Sequence, residues 1–326
     1  MKPKITDVAR LAGISSSTVS HVINKTRFVS ESTTQKVLDA INELGYTPDV
    51  SAQVFKTGKK MMIGFLVPDI KNPFFSLLIE CVENVASEQG YRLVVANTRD
   101  SVEMEKNAIR HLVSGVVDGL VIATSATSIE EIEEVIPNDF PVVFVDRILE
   151  NYEQDSVELD IQDATIQMIS DLIDQGHRKI GYIVGMSQIS STRDRERAYC
   201  ESFSRKGLPC DKSLIRFLDR SAPNSYSEIE ELINKNCTVI IGTYTNITHE
   251  ILNYIESSDA LIKKNITVCG FCDSYLAERF EKKIPVVNEP METMGIRAGE
   301  MILRKIASPS SAFPIEKLTC TYLSNH

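Results

Sequence analysis

Ser16, Ser17, Ser20 and His21 fall on one side of a prospective helix in the run ISSSTVSHVIN, and Val19, Val22 and Ile23 fall towards the other. The apolar trio has the i, i+3, i+4 spacing of a buried stripe. The opposite face then carries three hydroxyls and an imidazole. These groups are small enough to enter a major groove and can hydrogen-bond to base edges. Lys4, Lys25, Arg27 and Lys36 surround the face with charge suited to neutralising phosphates. The same residues also fit a three-helix interaction domain with a solvated serine face.

Three short helices would have to position this face. Thr6 can cap a helix over 7–12, with Asp7 favourable in its first turn. Gly13 supplies the backbone freedom for a tight turn, and Ser15 can cap a second helix over 16–24. Ser32 and Gln35 have capping-box spacing for a third helix that runs to Leu44 and ends at Gly45. Two helices joined by a glycine-containing turn make a helix-turn-helix pattern.

Charge supports a division of the chain. The 326 residues carry a formal net charge of −10, yet residues 1–60 hold nine Lys/Arg against five acids, a net of +4, and the remainder holds 26 against 40, a net of −14. A basic end on an acidic body suggests a small anion-binding module attached to a larger part. With 43% hydrophobic and 25% charged residues, the composition is that of a folded globular protein and excludes a long disordered one. No apolar run reaches the length of a membrane span, and the first twenty residues lack the apolar core of a secretion signal, so a cytoplasmic protein without a membrane partner is expected. Seven cysteines at odd count and irregular spacing predict no disulfide framework. Cys269 and Cys272 form a lone CxxC with no second pair to complete a metal site.

Nothing in the chain resembles a catalytic constellation. There is no Gly-x-Ser-x-Gly, no Walker loop and no Gly-x-Gly-x-x-Gly. His21, His111, His177, His249 and His326 show no metal-ligand spacing, and His177 reads as a structural residue in a turn before a strand. No enzyme activity, cofactor or metal is expected.

From residue 61 onward, apolar runs at 62–67, 91–96, 119–124, 141–146, 180–185, 238–243 and 266–271 read as strands. Amphipathic stretches such as 74–89, 102–113, 161–175 and 194–206 lie between them. Continuous apolar strands alternating with helices predict parallel sheets covered on both faces. There are enough strands for two doubly wound α/β units behind the all-α head.

The stretch ITDVARLAGISSSTVSHVINKTRFVSESTTQKVLDAINELGYTP resembles the head of the LacI/GalR transcriptional regulators, and the later βα region is similar to their periplasmic-binding-protein-type core. The resemblance covers essentially the whole chain. It implies a helix-turn-helix domain over 1–47, a hinge helix and linker over 48–60, and a core over 61–326 that binds an effector and dimerises. In the core, an N-subdomain would take about 61–160 and 290–320, and a C-subdomain about 161–289 and the C-terminus. Ser16, Ser17 and His21 would occupy base-reading positions, with Thr6, Ser15, Ser20 and Asn24 near phosphates. Phe55 matches the hinge leucine that wedges open a central base step, a role open to a phenylalanine. Packing against its dimer mate is the alternative. Ser51 and Gln53 depart from the usual valine and arginine.

The resemblance also places a cleft between the subdomains. Asn72, Phe74 and Phe75 match cleft positions after the first strand, and Asp146 and Arg147 end the fourth. Arg195 matches the arginine that begins the family's Arg-x-x-Gly-Phe/Tyr helix, although Ala198 replaces the glycine, and Asp160 matches a cleft edge. Cys272 stands where the family has its main ligand aspartate, followed by Asp273, and Tyr244-Thr245 replace Asn-Asp. Two hydroxyl-binding groups are thus absent, so a ligand less hydroxylated, anionic or larger than a hexose is expected, or a degenerate site. For Arg195, Asp146 and Arg147 a structural salt-bridge network is the alternative. The implied function is a dimeric repressor of a metabolic operon that binds double-stranded DNA at a pseudo-palindromic operator and answers to a small-molecule effector. A core answering to a partner protein, or a binding protein with a weakened head, stand as alternatives.

Overall fold

The computed structural model describes residues 3–24, 27–46, 58–147, 149–187, 189–218, 224–257, 265–273 and 283–324. The chain divides into two units, Met1–Lys60 and Met61–His326.

The first unit is built from α1 (Ile5–Ala12), α2 (Ser16–Asn24) and α3 (Glu31–Leu44). Val8, Val19 and Val37, all fully buried, bring one residue from each helix into a shared core, with Ala9 and Ala40 beside them. Gly13 and Gly45 end α1 and α3 in the left-handed region at φ 68° and 58°, where a side chain would be strained. Two caps differ from expectation. The α1 cap is Lys4, whose amide donates to Asp7 Oδ2 at 2.9 Å, and Thr6 is an exposed residue inside the first turn. The α3 cap is Ser30, with Ser32 inside the helix, while Gln35 donates to Asp39 Oδ1 one turn on. Ser15 does cap α2: its Oγ accepts from the Thr18 amide at 3.1 Å.

The second unit holds two six-stranded sheets. Its elements are β1 (Met62–Val67), α4 (Pro73–Glu88), β2 (Arg92–Asn97), α5 (Val102–Val113), β3 (Gly119–Ile122), β4 (Val142–Val145), β5 (Ser156–Asp160), α6 (Gln162–Asp174), β6 (Ile180–Val184), α7 (Ser190–Arg205), β7 (Ile215–Phe217), α8 (Tyr226–Asn234), β8 (Val239–Gly242), α9 (Thr245–Glu256), β9 (Thr267–Cys272), β10 (Val286–Asn288), α10 (Met291–Ala307), β11 (Glu316–Thr319) and β12 (Thr321–Leu323). The first sheet runs β11-β5-β4-β3-β1-β2, parallel throughout. The second runs β12-β10-β9-β8-β6-β7, with β12 antiparallel at its edge. The α/β architecture read from the sequence is therefore the one observed.

Each sheet is covered on both faces, which is why its central strands are apolar at every position. A cluster built on α4 and α10 fills one side of the first sheet, and a second built on α5 and the segment 129–135 fills the other. Helices α6 and α7 cover one face of the second sheet, and α8 and α9 the other. Full burial of each Ile, Leu, Val or Phe contributes roughly 1.5–3 kcal/mol. The chain passes between the sheets three times: from β5 into α6, from β10 into α10, and from β11 into β12. The last passage is a single residue, Cys320, whose amide donates to the Asp160 carbonyl at 3.0 Å. Cys200 and Cys210 form one disulfide, a local link that the cysteine spacing did not predict.

Candidate functional site

In the head, the apolar side of α2 is turned into the trihelical core and Ser17 on its other side is exposed; Ser16, Ser20 and His21 are half-buried. Ser17 Oγ lies 3.5 Å from His21 Nε2, one turn apart, so a hydroxyl and an imidazole stand as one polar pair. Arg27 is exposed beyond α2. Lys25 and Phe55 lie outside the described residues, as do the side chain of Asn24 and the departures Ser51 and Gln53.

In the core, a cavity of about 170 Å³ opens between the two sheets, beyond the carboxyl ends of β1, β4, β6 and β8. Open α/β sheets bind ligands in this place because the loops after parallel strands converge there. Asn72, Phe74, Phe75, Asp146, Arg147 and Arg195 all line it. Asn72 caps α4 through a bond from the Phe74 amide at 3.1 Å, which turns both phenylalanines inward. Their rings meet edge to face at 5.0 Å. Asp146 sits at φ 65°, a left-handed conformation that directs the chain sharply after β4 and costs of order 1–3 kcal/mol in a non-glycine residue.

Arg147 is buried, donates to the Thr124 carbonyl at 2.9 Å and pairs with Asp100 at 2.5 Å. The Thr124 loop is in turn fixed by Glu105, a fully buried carboxylate on α5 that accepts from Thr124 Oγ1 at 2.6 Å and from the Ser125 amide at 2.5 Å. Burial pushes the Glu105 carboxyl up, and these two bonds pull it back. Arg195, 2% exposed, donates to Glu289 at 2.6 Å and lies 4.9 Å over the Tyr244 ring and 5.4 Å from that of Phe271. Its Nε and the nearby Tyr182 hydroxyl are buried without a hydrogen-bond partner among the described residues.

Three expected residues do not reach the cavity. Asp160 is exposed and borders a separate hollow with Glu158, Asp194, Arg197 and Lys317, because it ends β5 at the passage into α6. Cys272 is fully buried in the apolar cluster under α8 and α9, and burial raises its thiol pKa. Asp273 is buried but is not part of the lining. The carboxylate expected near position 272 arrives from the adjacent strand instead. Glu289 follows β10, and its amide donates to the Cys272 carbonyl at 3.1 Å. Burial pushes Glu289 up to about 7, against the pull of Arg195. Tyr244 and Thr245, read as losses, are both lining residues. Sequence reasoning missed Glu289; the signal it carries is Asn-Glu-Pro after a short apolar run. Asp100, also lining the cavity, follows β2 and carried no signal beyond its place after a strand. Among the described residues no group of His, Cys, Asp or Glu could hold a metal ion.

A basic trihelical head on a two-sheet core with a cavity between the sheets defines a DNA-binding transcriptional regulator with a periplasmic-binding-protein-like core. Residues 4–49 match the family described as bacterial regulatory proteins, lacI family, and residues 60–322 match periplasmic binding proteins and sugar binding domain of LacI family. The HTH-type transcriptional repressor PurR of Vibrio atlanticus (strain LGP32) is 32% identical over 307 residues, 93% of this chain and 91% of that protein. The HTH-type transcriptional regulator RegA of Clostridium saccharobutylicum is 30% identical, over 93% and 92% of the two chains. The chain belongs to the LacI family. Its fold is also that of the lac repressor dimer bound to operator and the anti-inducer ONPF, with a TM-score of 0.83, 22% identity and coverage of 100% of this chain and 98% of that one.

Proposed function

We propose that this protein is a homodimeric repressor of the cytoplasm, with a head over 1–47, a hinge over 48–60 and a core over 61–326. Two heads dock in successive major grooves of a pseudo-palindromic operator. Ser16, Ser17 and His21 read bases, and Thr6, Ser15, Ser20, Asn24, Lys25 and Arg27 meet phosphates and fix the register. Phe55 wedges the central step from the minor groove, with unstacking offset by the contacts that bent DNA allows. A small effector in the cavity bridges the two lobes of each core and shifts the balance between states that do and do not hold the operator, by about 1–3 kcal/mol.

One observation carries this reading best: α2 buries Val19 in the head core while presenting Ser17 and His21 as a hydrogen-bonded pair on the other side. A cavity that joins residues of both sheets supports the effector role. Selection of bound DNA from a random pool by the purified full chain tests the proposal. Enrichment of a two-fold symmetric sequence is expected, with affinity falling steeply in salt as several phosphates are released from counterions. A pool that stays unenriched, with and without small-molecule extract, sinks it. For the wedge, Phe55→Ala should leave a folded dimer that no longer bends the operator in a permutation assay.

A further inference from the structure

We propose that the effector carries a positive charge: the cavity is built for a protonated amine on a compact polar scaffold, seated against Asp146. This rests on the reading of the cavity as the effector site.

The inference comes from the charge balance of the cavity wall. Its charged groups are four acids, Asp69, Asp100, Asp146 and Glu289, and two bases, Arg147 and Arg195. Both guanidiniums are engaged by carboxylates of the protein, Arg147 by Asp100 at 2.5 Å and Arg195 by Glu289 at 2.6 Å. The side chain of Asp146 is 8% exposed, and its ion-pair contact is Arg147 Nε at 3.9 Å, beyond hydrogen-bond reach. A buried carboxylate without a full partner is costly unless it takes up a proton or a cation. Burial raises the pKa of Asp146 against the attraction of Arg195 and Arg147, and raises that of Glu289 as well. A ligand ammonium supplies the compensation when the site is filled. Phe74 and Phe75 border the same space, and aromatic faces attract cations. An anionic ligand would bring a further negative charge beside four carboxylates, with only the Nε groups of Arg147 and Arg195 left without a hydrogen-bond partner among the described residues to meet it. A cavity of about 170 Å³ suits a small-molecule occupant.

Three-carbon probes of matched size test the proposal on the full-length protein: 3-amino-1,2-propanediol, glycerol and glycerate at equal ionic strength, read by thermal unfolding and calorimetry. The amine is expected to bind about tenfold more tightly than glycerol, with glycerate weakest, reflecting one charge-assisted bond. Asp146→Asn should erase the amine's advantage. Asparagine tolerates the left-handed backbone at this position, so the variant should unfold no lower than wild type. Equal shifts for all three probes in the wild type, including no shift at all, overturn the proposal. If glycerol or glycerate binds best and Asp146→Asn changes that affinity, the cavity keeps its role as effector site and only its preference for a cation falls. An amine preference indifferent to Asp146→Asn places the amine elsewhere and overturns the proposal together with the reading beneath it.

Discussion

Arg195 and Glu289, 94 residues apart in sequence, meet at 2.6 Å with both side chains about 3% exposed. Arg195 belongs to α7 of the second lobe, and Glu289 lies on the passage from β10 into α10, which returns the chain to the first. One buried pair thus ties the cavity wall to one of the three passages between the lobes.

The pair sets a pH dependence. Burial pushes Glu289 up to about 7, above the roughly 4.3 of an unfolded glutamate, so between these values the folded protein holds the extra proton. Stability therefore falls as pH rises through that window and levels off above it. Glu289→Gln should remove roughly 1–3 kcal/mol of the stability difference between pH 5 and pH 8 seen in urea unfolding of the wild type. Identical slopes for the two proteins would show that Glu289 is ionised throughout.

Gly185 follows β6 where Tyr244 comes close: a Cβ there would lie 2.5 Å from the Tyr244 hydroxyl and 2.9 Å from Thr192 Oγ1. Gly185→Ala should drive the ring off the Arg195 guanidinium and destabilise the core by about 1–3 kcal/mol through overpacking. Chemical denaturation checks the stability, and effector affinity should fall with it. A variant as stable as wild type with unchanged affinity contradicts the close approach.

Lys305 on α10 donates to Asp155 Oδ2 at 2.6 Å, and Asp155 Oδ1 accepts from the Phe313 amide at 2.9 Å. Both side chains of the ion pair are buried. Lys305→Met leaves a carboxylate uncompensated and should cost about 3–5 kcal/mol in unfolding free energy. Proteolysis near residue 313 should rise in parallel, because the return segment loses its anchor. A loss under half a kilocalorie would mean that Asp155 finds its compensation elsewhere.

His21→Ala should cost about 1–3 kcal/mol on the selected operator while leaving affinity for random duplex unchanged. Competition mobility-shift assays separate the two. An equal loss on both DNAs assigns His21 to the phosphates.

The central strands were legible because burial on both faces makes them apolar throughout: the run MIGFLV is β1 as it stands, and IGYIV is β6. Strand β5 escaped because SVELD carries Glu158 and Asp160, polar groups that belong to the passage between lobes. β10 escaped because three residues are too few to show a period. That second omission hid Glu289 and made the cavity look poorer in carboxylates than it is. Phe74 and Asn72 were placed by resemblance, and the cap geometry of Asn72 explains why the match works. Asp160 was misplaced because its partners across the two sheets, far away in sequence, decide which way it faces. The caps at Lys4 and Ser30 were misread since several hydroxyls compete within one turn.

Neither lobe is made from one continuous stretch of chain. The edge strands β11 and β12 come from residues 316–323, next to each other in sequence and in different sheets. On the ribosome, where chains emerge at about 5–20 residues per second and fold from the N-terminus, both lobes must wait half-finished for nearly the entire message to be read. A premature stop before codon 316 would strip an edge from the two sheets together, and such a fragment is a substrate for chaperones and proteases, with no intact lobe left to salvage.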